Sequence, residues 1–164
     1  MENSIKDYLV IPPWGIGEYH GTHIIKIKGS EYELTKIYFP KEKATINFPK
    51  EKFETLETRK LASPEEINEC FEILKTPKNL KRKTWNTIAR EYHQKLNSCE
   101  LKKIAEVIRD TYIKPGIKKD NSQITIHWLA VNLFCSELMI VQNITEEEAL
   151  KRITFLLLLK YSSG

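Results

Sequence analysis

Little in this chain invites a reading as a phosphate-binding, disulfide-stapled or membrane protein. Its 164 residues include only 6 glycines. The one glycine pair that resembles a loop motif, Gly15-Ile16-Gly17, lacks a third glycine and a following helix, which argues against a Gly-rich phosphate loop. The 3 cysteines, Cys70, Cys99 and Cys135, show no CxxC spacing, and their odd number argues against a disulfide framework. They read as buried or half-buried thiols in a reducing compartment. The longest unbroken apolar run, Phe155 to Leu159, is far too short to span a bilayer. The opening MENSIKDYLV lacks the charged-then-apolar pattern of a signal peptide. The expectation is a soluble, cytoplasmic protein with no membrane partner.

Catalytic chemistry is also thinly represented. His20 and His23 stand three apart on an expected strand or bend, where a regular strand would send them to opposite faces. His93 and His127 have no evident partners in the sequence. Glu146-Glu147-Glu148 fits a helix N-terminus, where negative charge is favoured, better than an acid/base site. No catalytic residue, metal site or cofactor is assigned, and an enzyme is not expected.

What is present is a chain with 41% apolar and 29% charged residues, enough for one ordinary domain or two small ones. The first 60 residues alternate as strands do. Tyr8 to Ile11 forms a short apolar run stopped by Pro12-Pro13 and by Gly15 and Gly17. His23 to Lys28 alternates, Gly29-Ser30 supplies a turn, and Glu31 to Phe39 resumes the pattern. After a turn at Pro40 to Lys43, Ala44 to Phe48 makes a last strand before Pro49. Short strands, tight turns and no helix predict a small, strongly bent antiparallel sheet or open barrel.

Beyond Arg59 the period changes to about 3.6 residues. Ser63, Pro64 and Glu66 are a cap, a first-turn proline and a capping-box acid, ahead of a stripe of Ile67, Cys70, Phe71 and Leu74. Trp85, Ile88, Ala89, Tyr92 and Leu96 form the next stripe. Ser98 is expected to cap a third helix carrying Leu101, Ile104, Ala105, Ile108 and Tyr112. A fourth helix is predicted over Ser122 to Val141, and Thr145 with Glu148 opens a fifth. The fold class is α+β: a β part over residues 1–60 and a compact bundle of about five helices over 61–164.

Charge is focused. Lys75 to Arg90 holds Lys75, Lys78, Lys81, Arg82, Lys83 and Arg90 with no acid, so this window carries +6 within a chain of net +4. A solvated linker beside a core tryptophan would have the same composition. Trp85, however, opens its helical stripe rather than sitting inside it. A ring there can project past the helix end, beside first-turn N–H groups that lack intrahelical partners. Those groups with Lys81, Arg82, Lys83 and Arg90 suit phosphates, and the indole suits a base step.

Specific residues then carry a resemblance. The run from Ser98 to Asp110, most closely Ile104-Ala-Glu-Val-Ile-Arg-Asp110, follows Trp85 and Tyr92-His-Gln-Lys-Leu96 and resembles the helical domain of the CarD/CdnL family. These are bacterial transcription regulators that bind RNA polymerase. Val10-Ile11-Pro12 followed by Gly15-Ile16-Gly17 resembles the family's opening YPxHGxG signature; Gly29, Thr45, Pro49 and Ser136-Glu137-Leu138 also fall where the family places them. The resemblance spans about residues 5–155. It implies a Tudor-like (SH3-like) domain that pairs a strand edge with the polymerase β subunit. It also implies a helical domain that binds promoter DNA at the upstream edge of the transcription bubble. Trp85 matches the family's wedging tryptophan, and Arg90 matches a nearby DNA-contacting basic position. The implied protein is a monomer that stabilises the open promoter complex without covalent chemistry.

The chain departs from the family at informative places. Ile25 and Asn47 stand where some members carry polymerase-binding arginines, which leaves Lys26 or Lys28 to compensate. Thr87 replaces a basic residue two positions after the tryptophan. Ile124, Thr125 and Ile126 replace basic residues at the start of the fourth helix, which shifts the expected DNA grip onto Lys81, Arg82 and Lys83. These departures also motivate an alternative: a protein-interaction module of the same fold that has lost promoter-DNA activity.

Overall fold

The computed structural model describes residues 7–78, 83–118 and 120–162, and it divides the chain between Leu61 and Ala62 into two units. The first is a curled, four-stranded antiparallel sheet in the order β1-β2-β3-β4: β1 Tyr8–Ile11, β2 Gly15–Ile27, β3 Ser30–Phe39 and β4 Ala44–Pro49. Two expectations are corrected here. Gly15 and Gly17 do not stop the strand before His23; they begin β2, pairing with Ile11 and Leu9. A short helix, α1 Lys50–Glu54, also follows the last strand where none was expected.

Packing explains the glycines. Gly17 faces the core of the sheet unit, formed by Ile11, Ile37, Phe39 and Phe48. A Cβ on Gly17 would stand 2.5 Å from Ile37 Cγ2 and 3.1 Å from the Phe39 ring. Ile37 is fully buried and branched at Cβ, so it has little room to yield. Gly17→Ala is therefore expected to destabilise the protein by about 1–3 kcal/mol, the usual cost of overpacking. Urea denaturation of the variant checks this, and an unchanged midpoint would contradict it.

The β2–β3 turn is Lys28-Gly29, one residue earlier than expected. Both residues have positive φ (50° and 83°), as a two-residue type I′ hairpin requires. Near this turn, Ile24–Ile27 pairs with Glu33–Ser30 alone, because β1 reaches only Glu18 and β4 reaches only Leu34. The hairpin thus extends as a two-stranded ribbon beyond the rest of the sheet. A register shift between Tyr19 and Thr22, with Gly21 at φ 89°, bends β2 at the ribbon's base.

Among the described residues the second unit contains five helices: α2 Pro64–Lys75, α3 Trp85–Asn97, α4 Leu101–Thr111, α5 Asn121–Gln142 and α6 Glu146–Ser162. The capping box at Ser63 is formed with Glu66, and Thr145 Oγ1 accepts the Glu148 backbone N–H. Ser98 is corrected: it closes α3 instead of capping α4. Its hydroxyl donates to Lys95 O at 2.6 Å and accepts the Glu100 N–H, while Cys99 turns the chain at φ 55°. The core joins Ile67, Cys70 and Leu74 of α2, Leu96 of α3, Ile104, Val107 and Ile108 of α4, Phe134 and Leu138 of α5, and Ile153 and Leu157 of α6.

By length and composition α5 also suits a membrane span, since its most apolar 18-residue window has a mean hydropathy of 1.6. Here it packs against α4 and α6 and holds the buried Glu137. Glu137 Oε2 accepts the Ala62 backbone N–H at 2.7 Å, so α5 fixes the chain just before α2.

The three cysteines are buried. Burial, reinforced by Glu137, pushes the Cys70 thiol up from 9.0 to about 12. Burial, reinforced by Glu146, pushes Cys135 to about 11. Their folded forms hold protons that the unfolded chain releases above pH 9.0, so stability is expected to fall as pH rises past that value. Urea midpoints at pH 8 and pH 10 check the sign.

Candidate nucleic-acid interface

Trp85 is the first residue of α3, directly after its N-cap Thr84, whose Oγ1 accepts the Thr87 N–H at 3.4 Å. The residue is 36% exposed. One edge meets the Tyr92 ring at a centroid distance of 6.4 Å and an interplanar angle of 66°. Tyr92 lies seven residues on, two turns along the same face, and is itself buried. The indole is thus braced from behind while its other side faces solvent. Burial, helped by the Asp110 charge, pushes the Tyr92 hydroxyl from 10.0 to about 12, so it stays neutral under this ring at any working pH.

The basic residues around Trp85 are held differently from one another. Lys81 and Arg82 lie outside the described residues. Lys83 Nζ is 2.6 Å from Glu91 Oε1, so its ammonium is already paired. Arg90 is exposed on α3, with no ion pair among the described residues. Five residues place it roughly 140° around the helix from Trp85 and about 7.5 Å along it, nearer the opposite face than the ring's own. Upstream, Thr76 closes α2, and its hydroxyl accepts from Arg109 Nη1 at 3.1 Å. Arg109 also makes a bidentate pair with the buried Asp110, at 2.7 and 3.2 Å. Lys78 sits near this carboxylate, and burial draws its pKa down despite the opposing pull of Asp110. The segment joining α2 to α3 is therefore bordered by carboxylates at both ends, Asp110 near its start and Glu91 near its close.

In the sheet unit, cross-strand pairing decides which residues share a face. Ile25 pairs with Tyr32 and Asn47 pairs with Lys36. Tyr32 and Lys36 are both even-numbered positions of β3, so Ile25 and Asn47 share the sheet face opposite the Ile37 and Phe39 core. They lie on β2 and β4, on either side of β3, and about 13 Å apart along it. Lys26 points to the other face, where it pairs with Glu31 at 3.8 Å, and Lys28 sits in the hairpin turn. Lys26 is thus separated from the Ile25–Asn47 face. Reading the sequence did not single out Tyr32 or Lys36, which occupy that face between them. Pairing register was the missing signal.

His20 stacks on Tyr38 at 5.9 Å and lies 3.8 Å from Glu18, while His23 pairs across to Leu34.

These features define a two-part protein: a curled sheet followed by a helical bundle that presents a braced, half-exposed tryptophan at the mouth of a basic segment. Comparison with known protein families gives a match to the CarD C-terminal domain over residues 69–154, which includes α3, α4 and α5. The chain belongs to the CarD family, and it is a CarD-family transcription regulator.

Proposed function

We propose that this regulator stabilises the open promoter complex by placing Trp85 at the upstream edge of the transcription bubble. In this reading Trp85 wedges against an unstacking base step, and Lys81, Arg82, Lys83 and Arg90 hold flanking phosphates. The curled sheet acts as a Tudor-like unit and pairs with the polymerase β subunit through the face and edge carrying Ile25 and Asn47, with Tyr32 and Lys36 joining them. No residue performs covalent chemistry. The observation that carries the reading is Trp85 itself. A large ring opens a helix, is braced edge-on by Tyr92 and stays partly exposed, just after the basic run Lys81-Arg82-Lys83 in the sequence. A partly exposed ring at a helix start suits an apolar wedge that inserts at a base step.

A monomer with four to six phosphate contacts binds DNA only weakly, on the order of 10⁻⁴–10⁻⁶ M at physiological salt. Tethering to polymerase raises the local concentration and makes such a grip sufficient. The decisive measurement is the lifetime of open complexes formed by the cognate polymerase, with and without the protein. A lifetime that the protein leaves unchanged would refute the proposal.

A second reading is an interaction module that lacks promoter activity. It is favoured by the neutral side chains at Ile25, Asn47 and Thr87 and by the pairing of Lys83 with Glu91. It predicts that binding to forked promoter DNA does not respond to salt. The leading reading predicts affinity that falls steeply between about 50 and 200 mM salt.

A further inference from the structure

Arg109 and Asp110 lie in the last turn of α4, close to where the chain leaves α2 for the basic segment, and neither belongs to the proposed phosphate grip. The Asp110 side chain is 1% exposed and that of Arg109 13%. The guanidinium takes both carboxylate oxygens, Nε to Oδ1 at 2.7 Å and Nη2 to Oδ2 at 3.2 Å. Such a fork fixes the arginine's orientation, and separating a buried pair is strongly unfavourable. In that orientation Nη1 donates to Thr76 Oγ1 at 3.1 Å. Thr76 is the C-cap residue of α2, and its hydroxyl donates to Ile73 O at 2.7 Å. Asp110, Arg109, Thr76 and the last turn of α2 thus form one line of hydrogen bonds with its buried end at Asp110. Three residues before Arg109, on the same face of α4, Glu106 takes Lys95 of α3 at 3.1 Å. Helix α4 therefore ties the end of α2 and the body of α3, the two elements that the basic segment joins.

We propose that Arg109 is a positioning residue for DNA binding: pinned by Asp110, it holds Thr76 and so fixes where the segment carrying Lys81, Arg82 and Lys83 leaves α2. The inference rests on the DNA-binding reading above. Arg109 is too buried to serve a phosphate itself, so it acts through Thr76. A segment whose departure point is fixed has less freedom to lose when its cations meet phosphates, and it binds more tightly for that reason. The task suits arginine. Its planar fork grips a carboxylate with two N–H groups and keeps a third for the threonine, which a single lysine ammonium does not reproduce. The same carboxylate acts on Lys78, two residues past Thr76, and on Tyr92, which braces Trp85. The start of the basic segment and the support of the tryptophan thus share one buried anchor.

The test uses the full chain and a fluorescently labelled forked duplex, with anisotropy titrations across a salt series, well below the melting temperature of each variant. Thr76→Val keeps the side-chain shape and removes the acceptor. It is expected to lower affinity by roughly 3- to 10-fold at every salt concentration, the scale of ordering one or two more groups on binding. The slope of log affinity against log salt should stay at the wild-type value, since no phosphate contact is lost. Thr76→Ser keeps the hydroxyl and should recover most of the affinity. Arg109→Lys should weaken binding to a similar degree, and adding Thr76→Val to it should weaken binding no further, because both changes break one contact. Losses that multiply in the double variant overturn the inference, since Thr76 would then meet DNA on its own account. A fall in the melting temperature of Thr76→Val with affinity unchanged also overturns it, because the tie would then serve only the fold. Wild-type protein that shows no salt-dependent binding removes the DNA-binding reading and this inference together. Wild-type binding with an inert Thr76→Val removes this inference alone.

Discussion

Replacing Trp85 by alanine is expected to shorten the open-complex lifetime by roughly 5- to 150-fold, while binding to polymerase stays as it is. The range follows from the about 1–3 kcal/mol that one aromatic–base stacking contact contributes. The indole also leans on Tyr92, and an edge-on aromatic pair is worth about 0.5–1.5 kcal/mol of stability. Trp85→Ala should therefore lower the melting temperature slightly, and that measurement separates a folding defect from a lost wedge. Trp85→Phe keeps a ring of smaller area in the same cradle and should fall between wild type and alanine. Two results would sink the assignment. One is an unchanged lifetime in the alanine variant. The other is loss of polymerase binding in parallel with lifetime, which would make Trp85 a structural residue.

The largest effect on stability is expected at Phe134. This side chain is fully buried in the middle of α5, and its ring lies 6.4 Å from that of Phe71 on α2. Phe134→Ala removes most of the side chain from a packed site, and such changes cost about 3–5 kcal/mol. A domain of this size holds only about 5–15 kcal/mol in total, so the helical unit would be left marginal. Phe134→Leu refills most of the volume and should recover much of the loss. Equilibrium denaturation monitored by circular dichroism at helical wavelengths reads the change. A shift below about 1 kcal/mol would mean that the core closes around the gap far better than its packing suggests. DNA binding should follow the folded fraction, because the core of α2, α4 and α5 holds α3 and its tryptophan in place.

Much of this architecture could be read from sequence, for identifiable reasons. Ser63-Pro64 with Glu66 carries its own geometry, and the capping box is present. The position of Trp85 at a helix start followed from its place at the head of an apolar stripe. Long-range features could not be read in this way. Gly17 looks like a breaker until Ile37, twenty residues later, is packed against it. Ser98 looks like a cap for the helix that follows, yet its hydroxyl turns back to Lys95. Helix α5 is apolar on every side, so its periodicity gives no face. Lys83 and Glu91 are eight residues apart across a cap, a spacing that no helical rule pairs. The site suffered most from such blindness, because its electrostatics depend on which cations already have partners.

The ribbon that projects past the sheet has a consequence for the life of the protein in a crowded cell. Each of its two strands carries an edge whose backbone groups bond to no neighbouring strand, and Ile24, Ile27 and Tyr32 stand exposed along it. Such a seam, if apolar throughout, would let copies of the chain zip together. Lys26, Glu31 and Glu33 interrupt it with fixed charge, and Lys50 reaches Glu33 at 3.3 Å. These residues act as gatekeepers, making self-pairing costly while leaving the strand open to a partner with complementary charge. Neutralising Lys26, Glu31 and Glu33 together would turn an open edge into a site of aggregation.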